Sequence, residues 1–533
     1  MRTAPVPRLL LLVLLALLAA PRLSLSAAEF NLATATIADI NAAFNAGALT
    51  SETLTQLYLK RIAAYEPTLH AIITLNPRAL EQARALDAER KARGPRSPLH
   101  GVPVVLKDNF DTSDLPTTAG FYGLKDHVPA KDAFLVSKLR SAGAVILAKV
   151  NLSEFASGGA MSSLGGQSRN PHDLERTPAG SSGGTGVAIA ANYAPLGYGT
   201  DTGGSIRGPS TANGIVGLKP THGLLSRSGI IPLALSFDTG GPMARSVYDI
   251  AVSLNVTVGE DPTDAATRKS AGRIVTDYTK ALDRQALRGA RIGVARDFLG
   301  QDAEVDTLFE SALSALRGAG AVLVDVKYPE VLHKMRGDLY NAIRRPEFKW
   351  QVQDYLATTR PGLPKTHADI LALSEKISAP NAAGIMQNNG RLALYRQEAK
   401  SPPLTDPTYV AAVQHGLPFV RETLRGLFTT HQLDAIVYPT NPRRPARIGE
   451  EQPGGSAATT APSPSNFANL SGFPDLILPA GFTSTGLPVG ISFFGTDFSE
   501  ARLLALGYAY EQATLNLRLP RHAPALAGEL IRY

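Results

Sequence analysis

The 533-residue chain contains no cysteine. That absence excludes disulfides, lipidation through a thiol, thiol nucleophiles and cysteine-bound metals. Histidine is scarce: the ten present show no H-E-x-x-H and no close pair, so no metal site is predicted. Dense basic runs are also missing, although the formal charge is +7. Arg2, Arg8 and Arg22 supply part of that excess in a stretch without an acidic residue. Scattered surface charge of this kind predicts no nucleic-acid partner. Long apolar runs occur in one place only, Leu9 to Ala20, which is short for a bilayer span. It follows Arg2 and Arg8 and precedes small residues. Ser24-Leu25-Ser26 and Ser26-Ala27-Ala28 are candidate cleavage sites. The pattern predicts a signal peptide over 1–28 and a mature chain over 29–533. The mature chain is then exported, periplasmic or extracellular, with no stable membrane association; an uncleaved anchor is the alternative.

What is present suits a folded domain. Hydrophobic residues make up 44% and charged residues 19%, enough for a large core. Thr36 is placed to cap a short helix ending at Gly47. A second helix from Ser51 puts Leu54, Leu57, Tyr58, Ile62 and Tyr65 on one face. Strand-length apolar runs then alternate with helical patterns. The predicted strands are 71–75, 102–106, 144–148, 291–294, 321–326, 434–438, 476–479 and 489–494. The helices include 77–93, 132–141 and 305–317, with a last one capped by Ser499. This alternation predicts an α/β fold with one large domain, its central sheet covered by helices on both faces. Residues 155–245 are dense in Gly, Ser and Thr, but apolar stretches interrupt them, which predicts a packed, loop-rich site. Residues 340–410 and 441–465 read as irregular insertions or lids, the former shaping an outer pocket. No internal repeat is visible.

Three features carry chemistry. Lys107 directly follows the apolar run Val102–Leu106. Buried there, it would lose solvation, and its pKa would fall towards that of a useful base; reaching water instead, it would be an ordinary strand-end lysine. Gly180-Ser181-Ser182-Gly183-Gly184 sets two hydroxyls in a flexible run before an apolar helix. It is either a reactive turn or a plain helix cap. Thr202-Gly203-Gly204-Ser205 ends a small-residue run that can aim several N–H groups at one point. That suits a developing oxyanion, or simply a tight turn. Together the three supply nucleophile, base and oxyanion site without histidine.

Lys107, Ser181–Gly184 and Asp201-Thr202-Gly203-Gly204-Ser205-Ile206-Arg207 resemble the amidase signature family. Gly217–Thr221, Gly240–Arg245, Asn466–Pro474 and Gly486–Gly490 extend the match across the mature chain. The resemblance implies a mixed sheet and a serine amidase working through an acyl-enzyme. Ser205 matches the nucleophile, Ser181 a bridging serine after a cis peptide bond, and Lys107 the base. Thr202, Gly203, Gly204 and Ser205 match the oxyanion donors, while Ser182, Asp201 and Arg207 match supporting polar positions. Phe155, Ser157 and Met161 lie where the family lines its substrate site; ordinary loop packing is the alternative. Within the family the likeness is closest to bacterial peptide amidases, through the signal, Pro98–Gly101, Asn151–Glu154, Gly229–Pro232 and Glu347–Lys349. Arg207, however, follows the commoner family pattern. The expected substrate is a small-molecule or peptide amide, with no cofactor, metal or obligate partner protein; a broader-specificity amidase or aryl acylamidase is the alternative within the family.

Two other classes compete. Gly180–Gly184 also fits G-x-S-x-G, the elbow of α/β-hydrolases, which needs a preceding strand and a late histidine such as His431 or His522. The A-type subunit of tRNA-dependent amidotransferases shares the signature but works in the cytoplasm. A phosphate-binding loop at Gly183–Gly186 fails, because no strand precedes it and no G-K-[ST] follows.

Overall fold

A computed structural model describes residues 29–377, 387–450 and 462–533. The predicted signal peptide lies outside them. An eleven-stranded sheet runs through the molecule. Its strands in chain order are β1 (Ile72–Leu75), β2 (Pro103–Lys107), β3 (Val145–Val150), β4 (Leu196–Asp201), β5 (Val216–Lys219), β6 (Thr239–Ala244), β7 (Arg291–Ala295), β8 (Val322–Val326), β9 (Ala435–Pro439), β10 (Asp475–Phe482) and β11 (Pro488–Phe494). The spatial order is β8-β7-β9-β11-β10-β5-β6-β4-β2-β3-β1. Pairs β8–β7, β7–β9, β4–β2 and β2–β3 are parallel and the rest antiparallel, so the sheet is mixed as expected. Every residue of β2, β3, β4, β5, β6, β9 and β11 is buried. A strand buried on both faces needs cover on both faces, which the flanking helices supply. Burial relaxes most at the edges, in β1 and β8.

Three helices position the site: α1 (Gly183–Ala190), α2 (Arg207–Asn213) and α3 (Glu330–Ala357). The predicted helices at 37–45 and from Ser51 are present, and Thr36 forms a capping box with Asp39. Ser499 occupies the N-cap of the last helix, but its hydroxyl donates to Thr496 O instead of capping.

Two expectations are corrected. Residues 340–410 are largely helical: α3 is followed by helices at His367–Lys376, Asn389–Ala399 and Pro407–Ala411. Pro346 lies inside α3, where it reads as a breaker in sequence. Burial of Leu339, Tyr340, Ile343, Phe348 and Val352 along one stripe carries the helix through it. Strands β5 and β6 are hidden in the sequence by glycine and Pro242. Their ladders with β10 and β4 hold them extended.

Candidate active site

β2 and β4 lie side by side and parallel, with Leu106 opposite Tyr198. Their carboxyl ends therefore open at the same edge of the sheet, the place where open α/β sheets build their clefts. β2 delivers Lys107 there, and β4 delivers Thr200 and Asp201. The peptide bond between Gly180 and Ser181 is cis, as the resemblance implies. It leads into α1.

Lys107 is fully buried. Its Nζ lies 2.7 Å from Ser181 Oγ, 3.0 Å from Ser182 Oγ and 2.8 Å from Thr200 Oγ1. Among the described residues no carboxylate touches it. Burial lowers its pKa from 10.5 to about 7, against the weaker pull of Asp201 and Asp238. The alternative of a strand-end lysine in water is thus overturned. The neighbours also sort its protons. Ser182 Oγ donates to Thr200 O at 3.1 Å and accepts from Thr200 N–H at 3.2 Å. Thr200 Oγ1 accepts from Asn109 Nδ2 at 3.1 Å. A neutral Lys107 can give its two N–H groups to Ser182 and Thr200, which leaves its lone pair for the Ser181 proton. Close approach makes this possible: a Cβ at Gly199 would stand 2.7 Å from Ser182 Oγ.

The Ser205 loop sits directly above. Ser182 N–H donates to Ser205 O at 3.1 Å, which clamps the two loops together. Ser205 is half-buried and lines a cleft of about 370 Å³ with Gly180, Gly203 and Gly204. Ser181 lies beneath, almost fully buried. A separate groove of about 550 Å³ between Asn341 and Tyr409 contains none of the predicted residues.

Asp201 shapes the loop. Its carboxylate accepts from Gly204 N–H at 2.8 Å and Ile206 N–H at 2.9 Å. It also pairs with Arg207 Nε at 3.2 Å and accepts from Asn469 Nδ2 at 2.9 Å. Burial would raise its pKa; Arg207 and these hydrogen bonds outweigh that and hold it well below the ordinary carboxylate range. Arg207 donates further to Asn469 Oδ1 at 2.6 Å and lies 3.5 Å from Asp475. One correction follows. Gly204 leaves the set of expected oxyanion donors, because its N–H is committed to Asp201. Among the described residues the N–H groups of Thr202, Gly203 and Ser205 have no protein acceptor. Gly203 packs against α3: a Cβ there would meet Tyr340 Oη at 2.6 Å.

Asp201→Ala is expected to destabilise the protein by about 3–5 kcal/mol, since it strips a buried arginine of its closest carboxylate. Denaturant unfolding of the variant measures this.

The other predicted residues separate. Phe155 is buried in an aromatic cluster with Phe121, Phe348 and Tyr395. Ser157 and Met161 flank Gly158, Gly159 and Ala160, which do line the cleft. Sequence reasoning missed Thr200, Asn109, Asn469 and Asp475. Asn469 stands inside the stretch Asn466–Pro474 and Thr200 directly precedes Asp201, so nearness to those motifs is the available signal. No strand leads directly into Gly180, and neither His431 nor His522 lines the cleft, so the elbow reading falls.

A mixed sheet with a buried amine and hydroxyl array under a cleft defines an α/β enzyme of hydrolytic type. A family profile described as Amidase matches residues 53–504. Peptide amidase from Stenotrophomonas maltophilia superposes with a TM-score of 0.84 at 41% identity, covering 92% of this chain and 99% of that one. An amidase family protein from Bacillus anthracis reaches 0.81 at 33% identity, covering 92% and 93%. The A-type subunit of a glutamyl-tRNA(Gln) amidotransferase from Halorhodospira halophila is 38% identical over 489 residues, 90% of this chain and 97% of that protein. The chain belongs to the amidase family and is an amide-hydrolysing enzyme.

Proposed function

We propose that this enzyme removes the C-terminal amide of peptides, with Ser205 as nucleophile, Ser181 as relay and Lys107 as base. The observation that carries this reading is the buried, carboxylate-free Lys107 at 2.7 Å from Ser181 Oγ. Neutral Lys107 takes the Ser181 proton as Ser181 takes the one on Ser205. Ser205 Oγ bonds to the amide carbon, and the oxygen charge meets the N–H groups of Thr202, Gly203 and Ser205. The proton returns through Ser181 to the nitrogen, the C–N bond breaks, and ammonia leaves. Water then cleaves the acyl-enzyme by the same route, releasing the acid. The likeness to the Stenotrophomonas enzyme supports the peptide substrate. The apolar run after Arg8 supports export.

Because the neutral amine is the active form, kcat/KM should rise with pH through about 7 and level off above it. Ammonia release from a panel of peptide amides, amino-acid amides, anilides and fatty amides tests the substrate class. No turnover of any peptide amide would remove that class.

A second reading has one observation in its favour: curated relatives are named as amidotransferase subunits. On that reading the chain works in a complex. Purification from its own cells with a stoichiometric partner, together with tRNA-dependent activity, would establish it.

A further inference from the structure

The cleft beside Ser205 is one-sided in charge. Four arginines line it, Arg207, Arg336, Arg443 and Arg444, and no Asp or Glu does among the described residues. Arg207 is neutralised by the buried Asp201 and Asp475, and Arg444 by the half-buried Asp302 and Glu304. Arg336 differs. It is half-buried, and Nη1 donates to a backbone carbonyl, Ser465 O, at 3.2 Å. It takes part in no ion pair among the described residues. Among the described residues this half-buried guanidinium meets only a carbonyl, which leaves donors that an anion can take up.

Its place beside Gly203 is marked twice. Tyr340, one helical turn further along α3, packs against Gly203, so Arg336 stands on the same helix face one turn away. Its acceptor Ser465 precedes Asn466, whose Oδ1 also abuts Gly203 at 3.1 Å from a Cβ built there. When the leaving group is ammonia, everything else the cleft must recognise belongs to the acyl part of the substrate.

We propose that Arg336 is a specificity determinant that selects amides whose acyl group carries a carboxylate. The inference rests on the amidase reading of Ser205 but not on the peptide one. Arg336 attracts the anion before contact and holds it by charge-assisted hydrogen bonds. The gain belongs to binding, because the carboxylate is no nearer to Arg336 in the transition state than in the bound substrate.

Matched pairs test this: N-acetyl-glutamyl-glycinamide against N-acetyl-glutaminyl-glycinamide, and glutaramic acid against butyramide. The acidic member should show kcat/KM about tenfold higher or more, the size expected of a charge-assisted bond. The preference should lie in KM and shrink as salt rises. R336Q should abolish it and leave kcat on the neutral members within about twofold, whereas R336K should keep part of it. Equal rates within each pair, or a loss in R336Q shared by acidic and neutral members, would overturn the inference and leave the amidase reading standing. Turnover of glutaramic acid but of neither peptide would support the inference and remove the peptide class.

Discussion

Ser205→Ala should lower amide hydrolysis by at least about 10⁴-fold while the melting temperature stays within about a degree. The activity loss follows from the role proposed for Ser205: with no nucleophile the acyl-enzyme cannot form, and the proposed oxyanion donors that remain offer only residual help. The stability expectation follows from position. Ser205 is half-buried at the floor of the cleft, and its tie to the rest of the fold is its backbone carbonyl, which accepts from Ser182 N–H. Alanine keeps that bond and removes a hydroxyl that faces the cleft. Ser181→Ala separates relay from nucleophile. It should cost about 10²–10³-fold, less than Ser205→Ala, because Ser205 survives but its proton path is cut. Ammonia release and thermal melts on the same preparations measure both. Substantial activity in the Ser205 variant would remove it from the reaction. A large drop in melting temperature would instead show that the loop needs the hydroxyl.

Much of this site is legible in the sequence because its parts are local. Lys107 ends an apolar run, so burial of the run buries the lysine. The small residues at 199–205 let a strand and a turn approach the Ser181–Ser182 loop closely, and this shows in composition alone. The partners that arrive from far along the chain do not show. Asn469 reaches Asp201 across more than 260 positions, and Tyr340 closes beneath Gly203 from α3. Asn469 lies inside the matching stretch Asn466–Pro474, but nothing local says which residue it reaches, and a tyrosine near a proline is ordinary. The Gly204 N–H escapes sequence reasoning for the same reason. Four consecutive small residues look equivalent in sequence, and only the placement of the Asp201 carboxylate separates the one N–H it captures from those that remain open. The strands divide similarly. β2 and β3 are apolar almost throughout, whereas β6, with Gly240, Gly241 and Pro242, is a strand because β4 pairs along its whole length.

Lys107→Met should inactivate the enzyme and stabilise it. Activity should fall by about 10³–10⁴-fold, the contribution of a positioned base. The stabilisation comes from the cost of keeping an amine in a fully buried site. Its pKa is lowered by burial from 10.5 to about 7. Between those two values the unfolded chain binds the extra proton and the folded chain does not. Folding stability contributed by this group therefore rises as pH goes from about 7 towards 10.5 and is lowest below 7. At low pH the penalty is about 5 kcal/mol, roughly 1.4 kcal/mol for each pH unit separating about 7 from 10.5. Methionine fills similar volume without charge. The hydroxyls it abandons keep other partners: Ser182 still bonds to Thr200, and Thr200 to Asn109. Only the Ser181 hydroxyl loses its bond to Lys107 without another to keep among the described residues, which offsets about 1–3 kcal/mol. The variant should thus be more stable than the parent below pH 7, and the gap should narrow as pH rises towards about 10. Denaturant unfolding of both proteins at about pH 6 and about pH 9, either side of the folded-state value, measures the sign and the trend. A variant less stable than the parent at the lower pH would mean that Lys107 is held charged, with the array around it serving as its solvation shell rather than as its proton donor.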